Sequence, residues 1–84
     1  MTRLLYFAWV RERIGVAEEA VDLPPALITV ADLLDWLAGR SPGHAVALAD
    51  RDAVRVGLDQ EFARLDTGIA GAREIAIFPP VTGG

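Results

Sequence analysis

Two adjacent prolines, Pro79 and Pro80, constrain everything that precedes them. Proline has no amide hydrogen to give a sheet ladder and its locked φ favours an extended backbone, so the pair must close the apolar run Ile75-Ala76-Ile77-Phe78. Glu74 to Phe78 is therefore read as a final strand that leaves the body as an arm. The arm continues through Val81 and Thr82 to Gly83 and Gly84, which have no Cβ, fit a narrow channel and leave a terminal carbonyl open to attack from either side. At average glycine usage of about 7%, two closing glycines arise by chance in roughly one chain in two hundred. Strand, double proline, spacer and diglycine together point to a tether with a reactive tip. Residues 78–84 are expected to be a flexible tail on a single domain, 1–84.

Upstream, one helix is clearly written. Thr29 followed three residues later by Asp32 has the form of a capping box, Val30, Leu33, Leu34 and Leu37 recur at helical spacing, and Gly39 with Arg40 supplies a stop. Around it the chain reads as strands. Arg3 to Trp9 is apolar on both alternating faces, which predicts a central strand with cover on each side. Val10 to Gly15 reads as a turn of helix, and Glu18 to Leu23 as the hairpin partner of the first strand, closed by Pro24 and Pro25. Ser41-Pro42-Gly43 is expected to turn, His44 to Leu48 to be a short helical piece, and His44 to lie at the surface without a role. Val54, Val56 and Leu58 alternate as a strand, Asp59-Gln60 turns tightly, and Glu61 to Leu65 returns as an edge strand. Thr67 to Arg73 carries turn signals around Ile69. The order describes an α+β architecture, a mixed sheet packed on one main helix with an extended C-terminal tail.

Parity then assigns faces. With Ile75 and Ile77 toward the helix, Ala76 and Phe78 point away; with Val54, Val56 and Leu65 inward, Phe62 and Arg64 point out. Phe7, Phe62 and Phe78 would then share the uncovered face, and three aromatics exposed together on so small a domain are the composition of a protein interface. Composition agrees: 84 residues at 52% hydrophobic and 24% charged make one small core with apolar surface to spare. The net charge of -4 argues against nucleic acid and fits a cationic partner surface. Apolar stretches are broken by charge well short of the roughly 18 residues of a membrane span, so a soluble cytoplasmic protein is expected, with no membrane partner. Cysteine is absent, which leaves no disulfide, thiolate metal site or persulfide; any sulfur handled here must come from outside. All eight basic residues are arginine, so the chain offers no lysine to an isopeptide bond.

Leu5-Tyr6-Phe7-Ala8-Trp9-Val10-Arg11-Glu12 and Glu74-Ile75-Ala76-Ile77-Phe78-Pro79-Pro80-Val81-Thr82-Gly83-Gly84 resemble the small-subunit (MoaD-like) family of molybdopterin synthase. The resemblance covers most of the chain and is most specific in the last seven residues; Trp9, Gly57 and Leu58 stand where relatives vary or carry polar residues. It implies a ubiquitin-like β-grasp fold and a sulfur carrier in molybdenum cofactor biosynthesis. A ubiquitin-activating-type enzyme would use ATP to adenylate Gly84, and a sulfur donor protein would displace AMP to leave a thiocarboxylate. The tail would then give its sulfur to cyclic pyranopterin monophosphate inside the large subunit, within a heterotetramer. The resemblance thus implies a non-catalytic subunit with no stably bound cofactor or metal, the catalytic pocket belonging to the large subunit. It also places Phe7, Phe62 and Phe78 on the contact face for that subunit, while Arg11 and Glu12, which match a family motif, read as a solvated surface pair ahead of the alternative, a docking site for the activating enzyme. Two destinations share the fold and tail: a thiamine-pathway sulfur carrier, and a ubiquitin-like modifier attached to target lysines through Gly84.

Overall fold

Alternating burial builds β1, Thr2–Tyr6, in which Leu4 and Tyr6 are buried and Leu5 between them is half-open. The computed structural model describes residues 1–80. The first strand ends at Tyr6 and does not reach Trp9. Phe7 stands at the N-cap of α1, Ala8–Ile14, and Ala8 takes a left-handed φ of 53° to make the corner. Val10, fully buried, and Ile14, packed against the core, lie four residues apart and form a helical stripe that overrides the β-like composition. Gly15, at φ 99°, ends the helix in a conformation that a Cβ would strain.

β2, Glu18–Val21, returns antiparallel beside β1, with Leu4 opposite Glu19. α2, Val30–Ala38, opens on the expected capping box: the Thr29 hydroxyl accepts from the Asp32 amide at 3.2 Å, and Asp32 Oδ2 accepts from the Thr29 amide at 3.1 Å. The Ile28 amide adds a third bond at 3.0 Å, and the Ile28 and Thr29 amides hold the Asp32 carboxyl below its usual range. Aspartate therefore closes the box where glutamate is usual. The inner face of α2, Val30, Leu33, Leu34 and Leu37, is buried against Leu4, Tyr6, Ile75 and Ile77 of the sheet.

Ser41-Pro42-Gly43 is the start of α3, Pro42–Ala47, where a turn is expected from sequence. The Ser41 hydroxyl accepts from the His44 amide, and Pro42 occupies the first turn, where a missing N–H costs nothing. At Gly43, α3 crosses α1 so closely that a Cβ would overlap the Arg13 carbonyl oxygen. A 3₁₀ turn, Arg51–Ala53, leads into β3, Arg55–Leu58, then β4, Glu61–Ala63, and finally β5, Glu74–Phe78.

The strands form one mixed sheet in the order β2-β1-β5-β3-β4, with β1 parallel to β5 and the other pairs antiparallel. β5 holds the middle and β1 lies beside it. Leu65, expected to face inward, is 47% exposed because the strand stops at Ala63: the Arg64 amide donates to Thr67 Oγ1 at 2.9 Å, which turns the chain. Ile69 fills the core instead. Phe78 pairs with Arg55 of β3, so the first residue of the expected 78–84 tail belongs to the sheet. No described helix is long and apolar enough to cross a membrane.

Candidate functional site

The helices bury one face of the sheet, and the register shows what the other presents. Glu18, Leu5, Ala76, Gly57 and Phe62 lie in one row across all five strands. On one side of this row Arg3 lies opposite both Ala20 and Glu74, and its guanidinium bridges Glu18 at 2.8 Å and Glu74 at 3.7 Å. On the other side lie Phe78 and Arg55, with Phe7 beside them, its amide donating to the Ile77 carbonyl at 3.1 Å. The open face therefore grades from paired charge to aromatic surface, and the aromatic end is where β5 leaves the sheet.

Phe62 is 82% exposed and Phe7 47% exposed. The Phe78 ring is half-buried and packs on Phe62 in a tilted pair, centroids 5.9 Å apart. Pro79 and Pro80 follow, partly buried, without regular structure. Val81, Thr82, Gly83 and Gly84 lie outside the described residues. Between Phe62 and Phe78, above Gly57, is a depression of about 130 Å³ whose other walls are Ala76, Gln60 and Glu61. Arg11 and Glu12 are both exposed and enter no ion pair among the described residues.

A second cluster lies on the covered side, and it corrects the expectation for His44, which is 6% exposed. Its Nε2 lies 2.9 Å from Glu19 Oε2, its Nδ1 2.7 Å from Ser41 Oγ, and the Tyr6 hydroxyl donates to the same Glu19 oxygen at 2.6 Å. With the Ser41 hydroxyl donating to Nδ1, Nε2 carries a hydrogen and donates to Glu19, which satisfies every member; this tautomer follows from the network. Burial pushes Glu19 up, yet the bonds from Tyr6 and His44 and the nearby charge of Arg40 together hold it below the usual carboxylate value. Burial, with Glu19 beside it, raises Tyr6. The Ser-His-Glu order superficially matches a hydrolytic triad, but Ser41 Oγ is committed to capping α3 and the imidazole is closed off from solvent. The cluster fastens β2 and β1 to α3. Among the described residues no three His, Cys, Asp or Glu side chains are placed to hold a metal ion.

What this frame is similar to is unambiguous. The ThiS family profile matches residues 4–84. The molybdopterin synthase sulfur carrier subunit of Haemophilus influenzae is 36% identical over 84 residues, covering all of both chains. That of Escherichia coli is 37% identical over 86 residues, again covering both completely. Among solved structures, SAMP1 from Haloferax volcanii superposes with a TM-score of 0.72 at 34% identity, over 99% of this chain and 98% of its own. A putative molybdopterin converting factor subunit 1 from Pyrococcus furiosus gives 0.75 at 26% identity, over 95% and 97%. The architecture is the ubiquitin-like β-grasp that these neighbours share.

Proposed function

The chain belongs to the ThiS family, and on that footing we propose that it is a sulfur carrier of molybdenum cofactor biosynthesis, the small subunit of a molybdopterin synthase. The observation that carries this reading is the end-to-end match to relatives bearing that name, together with a family match that spans residues 4–84. The exposed aromatic face at the root of the arm supports it, because a small domain that delivers its tip into another protein's pocket needs a docking surface beside the arm.

In this proposal the Gly84 carboxylate attacks the α-phosphorus of ATP on a ubiquitin-activating-type enzyme, and pyrophosphate leaves. The terminal sulfur of a donor protein's persulfide then attacks the acyl carbon and expels AMP, and a second thiol cleaves the resulting acyl disulfide, leaving a C-terminal thiocarboxylate and the donor oxidised to a disulfide. The exchange matters because the sulfur is ionised at neutral pH, polarizable and far more nucleophilic than the carboxylate oxygen. Phe7, Phe62 and Phe78 dock on the large subunit, which holds the pterin substrate, while Pro79, Pro80, Val81, Thr82 and Gly83 carry the thiocarboxylate to it. The large subunit supplies the acid and base groups.

Incubation of the protein with its activating enzyme, ATP and a sulfur donor is expected to change the intact mass by one oxygen-to-sulfur exchange. An added residue after Gly84 should abolish that change. An unchanged mass with a demonstrably active partner enzyme sinks the carrier reading. The likeness to SAMP1, a small archaeal modifier protein, favours a second reading, a modifier joined to target lysines through Gly84; lysine-linked adducts in the same mixture would identify it. A thiamine-pathway carrier would co-purify with a thiazole synthase and not with a molybdopterin synthase large subunit.

A further inference from the structure

Gly57 is a glycine that the fold does not ask for. It lies inside β3, paired with Ala76 on one side and Phe62 on the other, and its φ lies outside the left-handed region. A Cβ built there meets only ordinary contacts: 3.6 Å to the Glu61 carbonyl oxygen, 3.7 Å to Phe78 Cε1 and 4.0 Å to Ala76 Cβ. Alanine would fit, and it would relieve the strand of glycine's extra backbone entropy. At Gly43, by contrast, the backbone of α1 forbids a side chain. A strand glycine with no internal reason marks a place where something else approaches closely.

The approach is from the open face. Gly57 floors the 130 Å³ depression between Phe62 and Phe78, with Ala76 beside it and the polar Gln60 and Glu61 at the rim. An apolar floor with a polar rim is the anatomy of an interface socket. Phe62, which forms one wall, is 82% exposed, so nothing in the described chain covers it.

We infer that Gly57 opens a socket that receives one aliphatic side chain of the large subunit, making β3 a determinant of partner fit alongside the aromatic residues. The inference rests on the proposed docking of this face and shares two of its residues, Phe62 and Phe78. The depression is lined chiefly by the apolar groups of Phe62, Phe78, Ala76 and Gly57, which suits a branched aliphatic side chain better than a charged one.

Gly57→Ala and Gly57→Val in the full chain, titrated with purified large subunit by calorimetry, test the socket. Gly57→Ala should raise Tm by a few degrees, because alanine restricts the unfolded chain, and weaken binding about tenfold. Gly57→Val should fill the socket and weaken binding about a hundredfold or more; if it melts early, Gly57→Ala decides. Wild-type affinity in Gly57→Ala and Gly57→Val, with Phe62→Asp failing to bind, overturns the socket and leaves the docking face standing. Wild-type affinity in Phe62→Asp as well overturns the docking face itself. A chain ending at Pro80 gives the remaining arm: if its removal of residues 81–84 shifts the Gly57 amide resonance in the free protein, the chain's own end occupies the depression and the inference is wrong.

Discussion

At the scale of single residues, the buried cluster of Tyr6, Glu19, His44 and Ser41 carries the sharpest consequence for stability. Glu19 is held below its ordinary carboxylate value in the folded state, so the stabilisation it gives is complete above about pH 4.3, the unfolded reference, and is lost as pH falls through the lower folded value. Tyr6 works in the opposite sense: its raised value means stability is lost only as pH climbs above about 10. Glu19→Gln should therefore melt earlier at pH 7 and show a flatter acid limb than wild type in a thermal series from pH 3 to about pH 7. His44→Ala removes a bond to a carboxylate and opens a hole, and should lose about 2 kcal/mol in denaturant titrations. An unchanged midpoint would show that the imidazole is dispensable. None of this was legible locally. His44 reads as a loop residue because its partner lies 25 positions away, and only the Ser41-Pro42 pair, an N-cap followed by an N1 proline, signalled that a helix was carrying the ring inward.

Elements were readable where their signals are local. The capping box and leucine stripe of α2, and the proline stop after β5, depend on neighbours within four residues, so the sequence predicts both. The end of β1 does not, since Ala8-Trp9-Val10 satisfies strand and helix composition equally and the choice belongs to the core that Val10 enters. Leu65 fails for a similar reason, a bond from the Arg64 amide to the Thr67 hydroxyl breaking an alternation that composition would have continued. The β3–β4 hairpin is the instructive middle case. Asp59-Gln60 turns as expected, yet both residues sit at positive φ, 48° and 73°, where a two-residue hairpin ordinarily takes asparagine and glycine. Asp59 compensates: its Oδ1 accepts from the Arg73 and Glu74 amides at 3.0 Å each and pins the start of β5. Gln60 makes no such bond among the described residues, so Gln60→Gly should stabilise the domain by about 1 kcal/mol. Equilibrium unfolding checks this directly, and a lower midpoint would place the Gln60 side chain in a role the turn geometry does not require.

For the whole molecule, the decisive fact is asymmetry: helices cover one face of the sheet, and the other is graded from an ion-paired end to an aromatic end. A domain of this size gains most of its stability from one core, and that core is complete on the helical side, with Leu4, Tyr6, Ile75 and Ile77 buried under Leu33, Leu34 and Leu37. The aromatic end contributes little to it, because Phe62 and Phe7 remain largely or half exposed. Fold stability and the proposed docking are thereby separable, as a carrier of the proposed kind, picked up by an activating enzyme and then handed to a synthase, would require of its surface. Phe7→Asp places a charge on the proposed docking side without entering the core, so its Tm should fall within a few degrees of wild type. Its affinity for the large subunit should drop by about thirtyfold or more, the mark of an interface anchor. Thiocarboxylate formation on Gly84, read by intact mass, should persist if the activating enzyme grips the arm and not this patch. A variant that unfolds would instead assign Phe7 to the core, and one that binds normally would move the docking surface to another part of the molecule.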